Sequence, residues 1–273
     1  MADAPAFDRE WLAGLRAGAI VMPLRPRVPL WAGQSVIGSV ESSFLHQKCL
    51  QPFIYGPGQL LKEEQPAELG WRLMGDVSVS LNKLAKVLHD AGLAGAWRGE
   101  QLAVHDQFDH FKGTVERAAV RPLGIATSAV HLIGRVPDGR FWCQQRAFDK
   151  PNDPGLWDTL MGGMVSSADT VETALARETW EEAGLQLADL QDMRYGGRLT
   201  TRRPAAEGNG AGYKIEDIDW YCCTVPEGVT PENRDGEVAQ FALMEVDDML
   251  ARIRQGSFTM EAALIVAEAL QLE

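Results

Sequence analysis

Glu178, Glu181 and Glu182 stand at i, i+3 and i+4, and at about 100° per residue a helix would carry all three on one face. Carboxylates that close repel one another, and a divalent cation would neutralise them. Oxygen ligands of this kind suit Mg²⁺ or Mn²⁺, and Mg²⁺ in particular is held by a few carboxylates together with substrate phosphate oxygens. Arg177 lies beside this face, where its planar guanidinium can fix one carboxylate in a metal-binding rotamer. Gly162 and Gly163 precede the segment; they are expected to turn the backbone tightly, and a carbonyl at Gly162 can complete the coordination shell. The expected chemistry is a metal ion held against a diphosphate, with a bound water attacking phosphorus in line.

Three helical glutamates alone most often mark a solvated helix face. The longer spacing changes that reading. A glycine, five residues, an acid, seven residues, Arg-Glu, two residues, Glu-Glu, one residue, then Gly and an aliphatic fix Gly163, Asp169, Arg177, Glu178, Glu181, Glu182, Gly184 and Leu185. The six strictest positions would match by accident on the order of once in ten million starting points at average residue usage. In these residues the chain resembles the Nudix hydrolases, which implies cleavage of a nucleoside diphosphate linked to another moiety, or of a similar diphosphate. Two positions depart from the family pattern. Asp169 stands where Glu is usual, shortening a side chain that supports the metal cluster or Arg177, and Thr179 stands where an aliphatic residue is usual.

The elements that must position these residues read as follows. Strands are expected over 126–135 and 140–146, joined by a Pro-Asp-Gly turn at 137–139, then a loop, the glycine turn and the acidic helix. Further strand patterns cover 195–201, 219–225 and 237–245, with a Gly-rich insert at 205–212, and helices are expected over 246–254 and 259–270. The fold class expected is α/β: the Nudix α/β/α sandwich around a mixed sheet, preceded by a smaller α+β N-terminal domain, with 1–118 and 119–273 as the two units. In the first unit an amphipathic helix is expected over 1–18, a strand over 36–39, and a helix over 80–92 capped by Ser80 and stopped by Gly92. Turn residues at 52–58 and 63–68 are expected to interrupt it.

Further segments sharpen the resemblance: WRGE at 97–100, VERAA at 115–119, GIATSAVHLIGRV at 124–136, KPNDPGLWDTLMGG at 150–163 and FTMEAAL at 258–264. Together they are similar to a Nudix branch with its own N-terminal domain, termed DUF4743, that includes thiamine-pyrophosphokinase-related plant and fungal proteins. The branch implies hydrolysis of oxidised, damaged thiamine diphosphate. Around the acidic helix, Arg146 and Lys150 are candidate phosphate contacts, each equally readable as a surface charge. Trp157 is a candidate for stacking on a substrate ring, against anchoring its own loop. Trp97 and Arg98 are candidates to line a cleft between the domains, against a buried Trp. Either one of the three glutamates or Glu237 takes the proton of the attacking water; Glu237 is readable as a distal metal ligand or the general base, against a structural salt bridge. His131 reads as a strand residue with a satisfied hydrogen bond, and Trp180 as packing.

Composition bounds the partners. The 273-residue chain carries a net charge of −12 and no basic stripe, which argues for a small-molecule diphosphate partner and against nucleic acid or an anionic membrane. No apolar run approaches the length of a membrane span. The four cysteines form no CxxC pair and read as small buried hydrophobes, so a reducing cytoplasm is expected. Nothing sets an oligomeric state. Two other readings stay open: a Nudix hydrolase of ADP-ribose, a nucleotide sugar or a coenzyme, and a non-catalytic ligand-binding regulator on the same fold.

Overall fold

The computed structural model describes residues 9–64 and 69–271. Its first helix, α1 (Arg9–Ala19), buries Leu12 and Ala19, and the expected helical residues before Arg9 lie outside the described ones. A four-stranded sheet follows from β1 (Arg27–Ala32), β2 (Ser35–Glu41), β3 (Leu61–Glu64) and β4 (Gly70–Leu73), in the order β2-β1-β4-β3. Between β2 and β3, α2 (Gln51–Tyr55) starts with Pro52 in its first turn, where a missing N–H costs nothing. Of the two segments expected as turns, 52–55 are helical in α2 and 63–64 belong to β3, while 56–58 do turn and 65–68 lie outside the described residues.

Helix α3 (Val77–Asp90) buries Leu81, Leu84, Ala85 and Leu88 on one face, as their spacing dictates. Its cap is Asp76, whose carboxylate accepts from the Val79 N–H at 2.9 Å. Ser80, the expected cap, instead lies inside the helix and donates to the Met74 carbonyl at 2.6 Å. Gly92 follows the helix at φ 68°, a conformation that suits glycine. The hairpin of β5 (Gln101–His105) and β6 (Phe111–Glu116) packs beside α3.

A seven-stranded mixed sheet is built from β7 (Thr127–Arg135), β8 (Phe141–Arg146), β9 (Trp157–Asp158), β10 (Met161–Met164), β11 (Gln191–Ala205), β12 (Gly212–Thr224) and β13 (Val238–Met244). Its path is β11-β12-β7-β8-β13, with β12 and β7 parallel. The strands β7 and β8 pair only at Gly134–Trp142 and Arg135–Phe141 and then splay. The gap is filled by β9 against β8 and β10 against β7. That wedge brings Gly162 and Gly163 beside the acidic helix.

Alternation along β7 assigns the two faces of the sheet. Val130 and Leu132 pack under α4 (Val171–Ala183) with Ala174, Leu175 and Ala183. Ala129 and Ile133 pack on the other face with α6 (Val246–Arg254) and α7 (Met260–Ala269). The expected α/β/α layering is present, and α1 joins the second helical layer against α7. Strands expected at 195–201 and 219–225 are parts of a much longer ribbon, β11 with β12, closed by the short helical turn α5 (Glu207–Gly210). None of the described helices is long and apolar enough to cross a membrane. All four cysteines are free, and Cys49 is exposed, unlike the buried position expected of it.

Candidate active site

Helix α4 is fixed at both ends. Thr170 and Thr173 form a reciprocal cap at its N-terminus, and Gly184 ends it at φ 64° in the left-handed region. Thr179, at the usually aliphatic position, is buried, and its hydroxyl donates to the Leu175 carbonyl at 2.6 Å, so the polar atom has a partner. Glu178 and Glu182, one turn apart, lie toward β10. The two glycines there do not turn: they lie in an extended strand, and their value is close approach. A Cβ at Gly163 would fall on the Glu178 carboxylate, and one at Gly162 on the His131 ring.

Arg177 gathers the acidic residues. Its Nε and Nη2 donate to Asp169 Oδ2 at 3.0 and 2.9 Å, and its Nη1 donates to Glu178 Oε1 at 2.9 Å and Glu181 Oε2 at 3.0 Å. The shorter Asp169 thus still reaches the guanidinium with both bonds. Ser166 and Thr173 also donate to Asp169. Burial raises the Asp169 carboxyl, but Ser166 and Arg177 outweigh it and hold the group below its ordinary value.

Glu182 is only 2% exposed. Its Oε2 accepts from Gln144 Nε2 at 2.8 Å and from the Gly162 N–H at 3.0 Å. Burial pushes its carboxyl up to about 8, and that of Glu178 up to about 7 despite Arg177. These are the signs of two carboxylates short of positive charge. Among the described residues no three acidic, His or Cys side chains already converge in a metal-holding arrangement, because Arg177 draws Glu178 and Glu181 to itself. In donor chemistry the site nonetheless fits a hard divalent cation: all-oxygen ligands, of which Glu182 is buried and bonded only by neutral donors among the described residues, while half-buried Glu178 shares Arg177 with Asp169 and Glu181.

A cavity of about 260 Å³ opens over these glutamates. Arg146 and Lys150 both line it, as do Glu237 and Gly162. Arg146 donates to the Asn152 carbonyl at 3.2 Å and lies 3.7 Å from Asp158, with its Nε buried and unpartnered. Lys150 is paired with Glu237. Burial raises the Glu237 carboxyl, but Lys150 outweighs it and leaves the group below its ordinary value.

The aromatic candidates lie elsewhere. Trp157 is 8% exposed, in β9 beside Phe258 with Arg252 over its ring, and lines neither this cavity nor the larger one of about 540 Å³ that adjoins it. Trp97 is exposed against His89 and also lies outside both linings, whereas its neighbour Arg98 is in one. Trp180, expected to pack inside, is 42% exposed with the Arg234 guanidinium 4.3 Å above its ring. The helix buries its glutamate side here, which leaves the opposite side to solvent.

Several residues of the site, in the cavity wall or behind it, have no signal in the spacing of the sequence. Gln144 anchors Glu182 only because β8 splays from β7. His131 Nδ1 lies 2.9 Å from the Thr159 hydroxyl, which itself donates to the Met161 carbonyl at 2.8 Å. That bonding puts the ring proton on Nδ1 and holds the imidazole against Gly162. Its hydrogen bond was expected; its place in the cavity wall was not. Arg117, Arg121 and Lys214 also line the wall; Arg117 falls within the VERAA segment, whereas Arg121 and Lys214 stand in none of the segments that carry the resemblance.

Comparison with known proteins places these features in a family. The NUDIX domain model matches residues 126–264, about half of the chain. Nudix hydrolase 20, chloroplastic, of Arabidopsis thaliana is 30% identical over 187 residues, covering 63% of this chain and 46% of that protein. Nudix hydrolase 24, chloroplastic, of the same plant is 29% identical over 197 residues, covering 66% of this chain and 50% of that protein. A crystal structure of DR0079 from Deinococcus radiodurans aligns with TM-score 0.48 and 22% identity, covering 61% of this chain and 97% of that one. The chain spans about half the length of the curated relatives it matches. With the family model spanning the splayed sheet and the acidic helix alike, the chain belongs to the Nudix family.

Proposed function

We propose that the protein is a divalent-metal-dependent hydrolase of a diphosphate linkage, acting on oxidised, damaged thiamine diphosphate to give the monophosphate and inorganic phosphate. One observation carries the reading. Buried Glu182 and half-buried Glu178, both with carboxyls raised by burial, face a cavity whose other walls carry Arg117, Arg121, Arg146, Lys150 and Lys214. A metal–diphosphate pair satisfies both halves, the cation against the glutamates and the phosphate oxygens against the basic walls.

Glu178, Glu181 and Glu182 would hold Mg²⁺ or Mn²⁺. When bound, the metal supplies neutralisation of diphosphate charge and a lowered pKa for the attacking water. Arg177 braces Glu178 and Glu181, while Gln144 and the Gly162 N–H fix the orientation of Glu182. Arg146, in the cavity wall, offers its guanidinium charge to a phosphate. Glu237 is a weak candidate for the base, since a base works best when poised near the operating pH and Lys150 holds this carboxyl low. We assign it the positioning of Lys150, and proton removal to a glutamate of α4.

The ring preference rests on the DUF4743-branch resemblance and on electrostatics. A second cavity of about 540 Å³ adjoins the first and carries Arg98, Arg117, Arg121, Arg203 and Lys214. Of its three acids, Glu207 is paired with Arg121, Glu216 is paired with Lys214, and Asp153 stands on the rim, against five basic side chains. Such walls repel the cationic thiazolium of intact thiamine and tolerate a neutral oxidised ring. Among the described residues no Phe, Tyr or Trp lines either cavity, so discrimination by aromatic stacking is not expected. That also weakens the ADP-ribose reading, because adenine has no aromatic platform there.

A side-by-side assay under one metal condition tests the proposal. Oxidised thiamine diphosphate should give a higher kcat/KM than intact thiamine diphosphate or ADP-ribose. Preference for ADP-ribose by roughly tenfold, about 1.4 kcal/mol, would return the protein to a nucleoside diphosphate substrate.

A further inference from the structure

The glutamate cavity and the larger cavity share one rim. Arg117, Arg121, Asn152, Asp153, Met164, Lys214 and Glu216 line both. Arg117 and Arg121 come from the short segment between β6 and β7, upstream of every residue of the Nudix signature. That segment is tightly pinned. The Arg117 N–H donates to the Glu100 carbonyl at 2.9 Å, the Ala118 carbonyl accepts from Gly95 at 2.9 Å, and the Arg121 carbonyl accepts from Tyr213 at 2.9 Å. Ala118, Ala119, Val120 and Leu123 are buried around it. Two guanidinium groups are thus presented from a rigid backbone, opposite the acidic helix.

Neither group is fully spent. Arg117 donates from Nη1 to Glu100 at 2.7 Å, and Arg121 donates from Nη1 to Glu207 at 2.7 Å and to Asn152 at 3.1 Å. Among the described residues only the Nη1 groups of the two are bonded, and the side chains are 39% and 26% exposed. A guanidinium has five donors in a fixed fork, and that fork matches phosphate oxygens. Glu237, across the cavity, feels the charge of Arg117 and Arg98 as well as that of Lys150, which places this segment in electrostatic reach of the site.

A substrate with its scissile diphosphate at the glutamates and its organic part in the larger cavity must pass this rim. The group crossing it is the phosphate bonded to the organic part. We propose that Arg117 and Arg121 grip that phosphate, so that the protein binds organic phosphate monoesters, its own reaction product among them, without any metal. This deepens the reading above and relies on it for the direction in which the substrate lies. The grip selects for a phosphate ester at the rim, with Glu100 as a counter-charge that moderates it.

Binding to the full chain in EDTA separates this from the hydrolase reading. The probes are thiamine monophosphate and AMP, with thiamine and adenosine as phosphate-free controls, measured by calorimetry. The wild type should bind both monophosphates more tightly than their phosphate-free forms. Arg117→Gln and Arg121→Gln should each weaken monophosphate binding about tenfold and leave the phosphate-free forms unchanged. Glu100→Gln should tighten monophosphate binding several-fold, an increase that loss of a structural ion pair would not give. Arg140→Gln, which removes an equal charge at the β7–β8 turn where Arg140 pairs with Asp138, should change nothing. Arg→Lys variants serve if a Gln variant fails to fold, and should weaken binding less than the loss of charge. Equal affinity in folded Arg117→Gln/Arg121→Gln protein, or no metal-free monophosphate binding by the wild type, overturns the proposal. Absence of metal-dependent turnover with intact monophosphate binding would instead count against the hydrolase reading alone.

Discussion

Glu178 and Glu182 couple the stability of the metal-free protein to pH. Burial raises both carboxyls, to about 7 and about 8, from an ordinary value of 4.5. Between about pH 4.5 and 8 the folded chain therefore binds more protons at these groups than the unfolded chain, and folding stability falls as pH rises. Glu261 does not obscure this window. Burial raises its carboxyl, but Lys214 and Arg203 outweigh it and hold the group at about 2. The stability it adds is complete above about 4.5 and is lost only as pH falls toward 2. Melting in EDTA at pH 5.5 and pH 8 should show a fall of at least about 1 kcal/mol, roughly 2–4 °C for a chain of this size. Mg²⁺ or a Gln at either position should shrink it. A flat profile would mean that these two carboxyls are not held short of charge. Residue identity was readable here and residue environment was not: the sequence marks Glu178, Glu181 and Glu182, while Gln144, the bond that orients Glu182, depends on strands that separate in space.

At the scale of elements, legibility followed local pattern. The helix α4 announces itself through its cap, its left-handed glycine and its charge spacing. The strands β7 and β8 announce themselves through apolar runs around a Pro-Asp-Gly turn. The wedge of β9 and β10 does not, because two- and four-residue strands carry too few positions to alternate. The β11–β12 ribbon was underestimated for another reason: its outer half is rich in Arg, Pro and Gly, which mask the alternation of a strand exposed on one side. The two glycines of β10 were read as a turn, although what they provide is room. Gly163→Ala tests that role, since its Cβ would occupy the place of the Glu178 carboxylate. Overpacking of this kind costs roughly 1–3 kcal/mol. Turnover should drop at least about a hundredfold while the protein stays folded, as measured by kcat beside a thermal melt; wild-type kcat would show that Glu178 need not sit against β10.

Across the whole molecule, net charge and local charge point in opposite directions. The chain carries −12 overall, yet arginines and lysines from separated parts of the sequence gather around the two cavities. Residues 95–121 form one wall and the Nudix-matched region the other, so basic side chains remote in sequence face one set of glutamates. Helix α1 packs against α7, with Leu12 in the same core as Ile265. The central claim, hydrolysis dependent on a metal held by α4, is tested most directly by phosphate release from the full chain with Mg²⁺ or Mn²⁺, comparing wild type with Glu182→Gln. The amide keeps an oxygen for Gln144 and the Gly162 N–H, so the fold should survive. Loss of a metal ligand should remove several kcal/mol of transition-state stabilisation, a rate loss on the order of a thousandfold or more. Wild-type release by folded Glu182→Gln protein at saturating metal would contradict the account.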